Sequence, residues 1–348
     1  MATVVGALRQ TRLVLSGQLG AWVFYGIGAA AFLLLILPRI FQDPVFFVQI
    51  LIFGLTDGAL YALIALGYTM VYGIIELINF AHGDVFTMGG MIGLAIFALL
   101  GIVPNQTYHF GALLLPLLVG VFAVTMAITG VLNITIERIA YKPLRHQPRL
   151  APLITAVGMS FILEGIMFVW HGPNFVQAPN LLPSARLTVL GVTVDTRQVI
   201  IILVAVGLML ALTSFVEFTR LGKAMRATAQ DRDAATLMGI NIDRTISTTF
   251  FIGAALAAAG GMLWGLYYND LRFDTGFGAG LAAFTAAVFG GIGNIQGAAL
   301  GALLIGLVRA FNDGYGYATW TDVIIFGILI LVLTLRPTGL LGMRVPEK

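Results

Sequence analysis

The chain contains no cysteine, so disulfides, thiol nucleophiles and thiolate metal sites are excluded at the outset. Charge is scarce as well. Only 10 % of the 348 residues are Asp, Glu, Lys or Arg, against roughly 25 % in an ordinary soluble domain. A water-soluble surface on a chain of this length needs far more charge, which argues against a soluble enzyme, a nucleic-acid binder and a disordered protein. Histidine is confined to His82, His109, His146 and His171. These are scattered, without HExxH or another metal spacing, and no Ser/His/Asp set stands out. The sequence therefore offers no metal site and no catalytic residue, and an intramembrane enzyme has poor support. A GxxxxGK pattern followed by Ser or Thr is also missing. Any ATP-driven work needs a second chain to hydrolyse the nucleotide, and this chain is expected to carry no cofactor.

Apolar residues make up 59 % of the chain, with a mean hydropathy of +0.96. A helix needs about 20 apolar residues to cross the hydrocarbon core. Uncharged runs cover Leu13–Pro38, Val85–Ile136, Gln198–Val216, Thr245–Asn269 and Thr275–Val308. Val45–Ile75 is broken only by Asp57, Ala151–Ala185 only by Glu164, and Gly314–Thr321 precedes a shorter run, Val323–Leu335. Val85–Ile136 is too long for one crossing and divides at the turn-like Pro104–His109. Thr275–Val308, as one straight helix, would span about 50 Å. Its Gly290–Gly297 stretch (GGIGNIQG) predicts two short helices meeting at a glycine turn. The first run follows Arg9 and Arg12, but it exceeds a signal-peptide core and ends without a small-residue cleavage site, so we read it as a retained helix. The expectation is an all-α, polytopic transmembrane bundle of eight to ten segments with some short or broken helices. It forms one membrane domain over residues 1–348, and the Pro-containing His171–Arg197 loop caps it.

Basic residues set orientation. One side collects 14 of the 19 cations: Arg9, Arg12, Arg138, Lys142, Arg145, Arg149, Arg220, Lys223, Arg226, Arg232, Arg244, Arg336, Arg344 and Lys348. That side reads as cytoplasm, with both termini inside. Glycines and alanines recur every four residues at Gly253, Ala257, Gly261 and Gly265, and again at Gly293, Gly297 and Gly301. Such spacing lets helix backbones approach closely in lipid.

Polar residues inside these runs mark candidate sites. The segment from Glu76 to Asp84 (ELINFAHGD) holds two acids, Asn79 and His82 but no cation. One reading is a helix break near a solute path, where half-helix ends offer backbone groups to charged ends of a solute. The other is a polar turn that pins neighbouring helices by hydrogen bonds. Asp57 and Glu164 are single acids in apolar surroundings, each open to a structural hydrogen bond or to solute contact. The Arg220–Arg244 stretch mixes both signs with alanines. It predicts a short helix ending near Gly239, favoured at its start by Asp231 or Asp233. Ala234, Ala235, Leu237 and Met238 offer an apolar patch for a partner.

This stretch resembles the coupling segment of permeases in ABC importers for branched-chain amino acids. Gly67–Asp84 (GYTMVYGIIELINFAHGD) resembles the same family in its LivH-type branch. So do Glu137–Arg145 (ERIAYKPLR), Ala283–Gly293 (AFTAAVFGGIG) and Arg336–Gly342 (RPTGLLG). Together they span roughly residues 45–342, with residues 1–44 as an added N-terminal helix and residues 217–246 as the cytoplasmic coupling loop. The resemblance implies a transport subunit rather than an enzyme, in a prokaryotic inner membrane. It implies a second permease subunit, two ATPase subunits and an extracytoplasmic binding protein. The implied solute path takes in Asn79, His82, Gly83, Asp84, Gly290, Gly291, Gly293 and Asn294. The implied ATPase-facing residues are Gly222, Arg226, Asp231, Ala234, Ala235, Gly239 and Asn241. The cargo could be branched-chain or other neutral amino acids, urea or short amides. A rival reading is a stand-alone secondary transporter or channel, with Asp57, Glu76, Asp84 and Glu164 binding protons or ions.

Overall fold

The computed structural model describes residues 22–23, 26–27, 30, 32–75, 79–104, 106, 108, 110–145, 147–148 and 150–342. The added N-terminal helix expected at residues 1–44 falls largely outside them. Its described part holds a π-turn at Phe32–Ile36 and a short helix α1, Leu37–Gln42.

The membrane helices follow in the expected places. They are α2 (Pro44–Ile75), α3 (His82–Leu99), α4 (Leu114–Ile136), α5 (Leu150–His171) and α6 (Thr196–Phe218). After the short α7 (Arg220–Gln230) and α8 (Arg232–Leu237) come α9 (Ile242–Tyr268), α10 (Thr275–Gly290), α11 (Ile295–Gly314) and α12 (Thr321–Leu335). Among the described residues, eight helical stretches are long and apolar enough to cross a bilayer, and α10 is a shorter apolar helix. The break between α10 and α11 falls at Gly291–Asn294, where Gly291 (φ 113°) and Gly293 (φ 91°) adopt backbone open mainly to glycine.

The helices form two layers. The most apolar windows of α2 and α9 are each 78 % buried, whereas that of the α4 stretch is only 11 % buried. Apolar side chains such as Val119 on α4, Phe161 on α5, Leu203 on α6 and Ile330 on α12 stand exposed. Apolar surface of this extent needs lipid or a partner subunit against it.

Small residues bring the inner helices together. Gly58 of α2 lies against the backbone of Leu303 on α11, with Gly306 pressed back on Gly58. Gly253, Ala257 and Gly261 of α9 are wholly or almost wholly buried, and Gly261 abuts the Phe86 carbonyl of α3. Without a hydrophobic driving force between helices, this close packing is what holds them. Gly293 departs from the expected stripe, because it sits in the turn and not on the α11 face.

Loop contacts define two ends of the bundle. At one end, Arg186–Val189 and Val192–Asp195 form a β-hairpin, and Gly191 of its turn reaches Val45 at the start of α2. Sequence reading foresaw a capping loop there and missed the strands. Leu190 (φ 52°) and Gly191 (φ 85°) form a turn whose twist suits a two-residue hairpin. The opposite end carries α7, α8 and the basic Arg138–Arg145 stretch, and is called here the basic end.

Candidate functional site

Helix α3 starts far inside the bundle. His82, its first residue, lies against the Gly67 backbone of α2, and Gly67 is eight residues before the end of that helix. At 1.5 Å per residue α3 therefore begins about 12 Å in from the basic end of α2. The chain leaves α2, folds back and re-enters as a short helix. Non-helical backbone at this depth persists only where protein buries it or it lines a cavity. Glu76 lies outside the described residues.

Every described polar residue of this entry is buried. The Tyr141 hydroxyl donates to Asn79 Oδ1 at 2.7 Å. The His82 ring packs edge-on to Tyr68, with centroids 4.9 Å apart. Ser160 of α5 donates to Asp84 Oδ2. Gly83 lies so close to Gly276 and Gly280 of α10 that a Cβ on any of the three would overlap the opposing backbone. The start of α3 is thus clamped by α2, α5, α9 and α10. Asn79 and Asp84 act as pins, yet Asn79 Nδ2, Asp84 Oδ1 and Thr87 Oγ1 are buried with no hydrogen-bond partner among the described residues.

Threonines give a further signal that sequence reading missed. Thr56, Thr249 and Thr285 donate to the carbonyl four residues back, the usual way a helix satisfies a hydroxyl in lipid. Thr69, Thr87, Thr125 and Thr129 are equally buried but leave their hydroxyls unpartnered among the described residues. Thr125, Thr129 and Asn133 on α4 and Glu137 just after it recur every four residues and are all inaccessible. That polar spacing was readable as a single stripe.

The other acids are placed differently. Tyr268 donates to Asp57, on the hairpin half of α2. Glu164 is half-buried on α5, one turn from Ser160, with Asp84 and Asp274 as its acidic neighbours. The glycine turn lies apart from the α3 entry. Gly291 packs on Gly342 and Thr338, Gly293 faces Gly73 near the end of α2, and Asn294 caps α11 while donating to the Leu341 carbonyl at 2.9 Å. Gly73, the α2 residue that Gly293 faces, lies six residues beyond the Gly67 that meets His82, and the turn is folded against the chain's C-terminal Arg336–Gly342 segment.

At the basic end, Asp231 caps α8, accepting from the amides of Asp233 and Ala234 at 2.9 and 3.0 Å. The helix stops before Gly239 (φ 80°). Gly222 is buried at the α6–α7 elbow, Arg226 donates to the Val216 carbonyl at the end of α6, and Asn241 caps α9. These three hold the segment's shape. Ala235 is buried against the bundle, so it does not belong to the expected apolar patch, which lies on Ala234, Leu237 and Met238. Leu237 is 88 % and Met238 82 % exposed.

A charged knot joins this segment to the α3 entry. Arg145 contacts Glu137 and lies 2.5 Å from Asp243 of α9, Lys142 reaches the same Asp243 at 2.7 Å, and Ser247 donates to Glu137 at 2.7 Å. Glu137–Tyr141 is a π-turn, which carries Tyr141 toward Asn79.

Residues 50–333 match the family described as "Branched-chain amino acid transport system / permease component". The chain is 43 % identical over 316 residues to the high-affinity branched-chain amino acid transport system permease protein BraD of Pseudomonas aeruginosa, covering 90 % of this chain and 100 % of the relative. It is 42 % identical over 311 residues to the corresponding protein LivH of Escherichia coli, covering 88 % and 99 %. It is 28 % identical to the probable permease LivH of Methanocaldococcus jannaschii, over 81 % of this chain and 89 % of that one.

Proposed function

The chain belongs to the family of permease components of branched-chain amino acid transport systems, and from that premise we propose that it is the membrane subunit of an ATP-driven importer for branched-chain amino acids. The carrying observation is the similarity to BraD and LivH over 90 % and 88 % of the chain. It favours this cargo over urea or short amides and an ABC subunit over a stand-alone secondary transporter. The permease works with a second permease subunit, separate ATPase subunits that bind the ATP, and an extracytoplasmic binding protein that supplies most of the selectivity. The chain itself carries no cofactor and no catalytic residue. The basic end faces the cytoplasm of a prokaryotic inner membrane, as expected where Lys and Arg concentrate.

In this reading α7 and α8 receive the ATPase subunits, with Leu237 and Met238 as the apolar contact of a helix laid in a groove. Movement of α8 passes to α9 and, through Asp243, Arg145 and Glu137, to Tyr141 and Asn79. Asn79, His82, Gly83 and Asp84 then lie where the solute path opens. The buried unpartnered groups at Asn79, Asp84 and Thr87 support this, since such groups are retained where solute or water meets them in another conformation. The Gly290–Asn294 turn acts as a hinge at the cytoplasmic end.

The test is uptake of labelled leucine into proteoliposomes holding the complete, co-purified transporter. Uptake should require ATP inside and binding protein outside. Leucine accumulation by this chain alone under an ion gradient would refute the proposal.

A further inference from the structure

The corner between α9 and α10, Asn269–Asp274 (NDLRFD), is polar except at Leu271 and Phe273. It is also recessed. Tyr268, the last residue of α9, donates to Asp57, thirteen residues beyond Pro44 at the start of α2 and so about 20 Å in from the hairpin end. Asn269, Asp270, Arg272, Phe273 and Asp274 nonetheless keep partial exposure, whereas Leu271 is wholly buried. Its Cδ2 lies 2.8 Å from where a Cβ on Gly90 of α3 would stand. Gly90 shares one α3 face with Gly83 and Thr87, at helical spacings. Leu271 therefore stands between the partly exposed corner and the α3 entry, on the hairpin side of the unpartnered Thr87 hydroxyl.

A strap holds this corner down. Residues 172–182 leave the end of α5 and cross it, anchored by the buried Ala178, Leu181 and Leu182. Val176 and Leu271 exchange both backbone hydrogen bonds, at 2.8 and 3.1 Å, and the Ala178 amide donates to Asn269 Oδ1 at 3.0 Å. That exchange makes them a hydrogen-bonded antiparallel pair, so Phe175 and Arg272 face each other as the next, closer pair. The Arg272 guanidinium lies 5.1 Å from the Phe175 ring centre. The bridge belongs to no longer ladder, so it can part without unravelling a sheet.

We infer that Leu271 is the gate of the solute path on the extracytoplasmic side, and that the 172–182 strap latches it. The inference rests on the permease reading. At rest Leu271 seals the path at Gly90, where an amino acid's charged ends would lose water without gaining a partner. For solute to enter, the strap parts from the corner and Leu271 leaves the α3 face.

The test uses the complete transporter and a chain free of native cysteine. Phe175→Cys with Arg272→Cys leaves Val176 and Leu271 in place, and a facing pair without hydrogen bonds is within disulfide reach. Oxidation with copper phenanthroline should cross-link the double variant and lower ATP-driven leucine uptake about tenfold or more, with recovery on reduction. Each single variant should ignore the oxidant. Absence of the cross-link, or full uptake by cross-linked protein, overturns the latch. A second measurement needs no cargo. Thr87→Cys should resist a membrane-impermeant thiol reagent added on the extracytoplasmic side, and should react about tenfold faster or more when combined with Leu271→Ala. Ala283→Cys, buried elsewhere on α10, should stay unlabelled in both backgrounds. Equal labelling of Thr87→Cys with and without Leu271→Ala overturns the gate, as does labelling of Ala283→Cys alongside it. Failure of wild-type leucine uptake together with Leu271-dependent labelling of Thr87→Cys removes the cargo reading and leaves the gate standing.

Discussion

Tyr141 donates its hydroxyl to Asn79 at 2.7 Å across 62 residues of sequence, tying the π-turn after α4 to the chain just before α3. Both residues are almost fully buried. The bond lies at the end of the chain of contacts running from Asp243 through Arg145 and Glu137, so it is where a shift at the basic end would first reach the α3 entry.

Tyr141→Phe keeps the ring packed on Phe250 and removes only the donor. Asn79 Oδ1 then loses its partner in a buried place, at a cost of about 1–3 kcal/mol. The purified transporter should melt at a lower temperature, and leucine uptake per ATP hydrolysed should fall. An unchanged melting temperature and an unchanged uptake-to-ATP ratio would remove this bond from the mechanism.

Arg145→Ala should be strongly destabilising, because its side chain is only 11 % exposed. Glu137 has no exposed side-chain area, so losing Arg145 strands a buried carboxylate, at a cost of about 3–5 kcal/mol. Loss of only one surface ion pair would cost about 1 kcal/mol or less. Arg145→Ala and Glu137→Gln combined should be less destabilising than the two single effects added, and a double-mutant cycle from thermal or denaturant melts measures that difference.

What the sequence disclosed, and what it withheld, follows from the range of the interactions. The α10–α11 break was legible because the uncharged Thr275–Val308 run is too long for one crossing and its Gly290–Gly297 stretch offers a turn near the middle. The α8 cap and stop were legible because Asp231 and Gly239 act on their own neighbours. The depth of the α3 start was not, since it depends on Gly67, Gly253 and Gly276 meeting from three other helices. Ala235 was assigned to the exposed patch because a six-residue helix gives too little periodicity to show which face turns inward. The hairpin was hidden by its setting, a short strand pair inside a chain read for helices.

Gly83→Val should block assembly of the bundle. A side chain there meets the Gly276 carbonyl and the Gly280 backbone, neither of which can move without displacing α10. Overpacking of this kind costs about 1–3 kcal/mol or more. Gly278, exposed on the same helix with open space around it, supplies the control. Gly278→Ala should give normal membrane yield, and Gly83→Val little folded protein by size-exclusion chromatography in detergent.

Leu237→Asp should uncouple without unfolding. Leu237 makes almost no contact with its own chain, so a charge there leaves the bundle intact. If it enters an apolar groove of an ATPase subunit, a buried unpaired carboxylate weakens docking by several kcal/mol. Gly239→Ile acts by a different route. The glycine faces open space, so its replacement strains the left-handed backbone by about 1–2 kcal/mol and alters the exit of α8. Both variants should lose ATP-driven uptake, Leu237→Asp with a normal melting temperature and reduced co-purification of the ATPase, Gly239→Ile with a lowered melting temperature. Full uptake by Leu237→Asp would move the docking surface elsewhere.

Asp195 supplies a pH-dependent contribution at the hairpin end. It caps α6, accepting from the Arg197 amide at 2.9 Å, and the Arg197 guanidinium approaches to 2.7 Å. Hydrogen bonds from Arg197 hold the Asp195 carboxyl below its ordinary range. The folded state therefore binds fewer protons than the unfolded one around the acid transition, and stability rises with pH there. The contribution is fully present above the unfolded value of about 4 and is lost as pH falls through the lower folded value. Asp195→Ala removes cap and charge together and should cost about 1 kcal/mol at neutral pH. Asp195→Asn keeps a capping oxygen but not the charge, so its melting temperature should lie below that of the wild type at neutral pH, fall less steeply in acid, and approach the wild-type value there. Parallel melting curves from neutral to acid pH that never converge would show that the carboxylate's charge adds nothing to the cap.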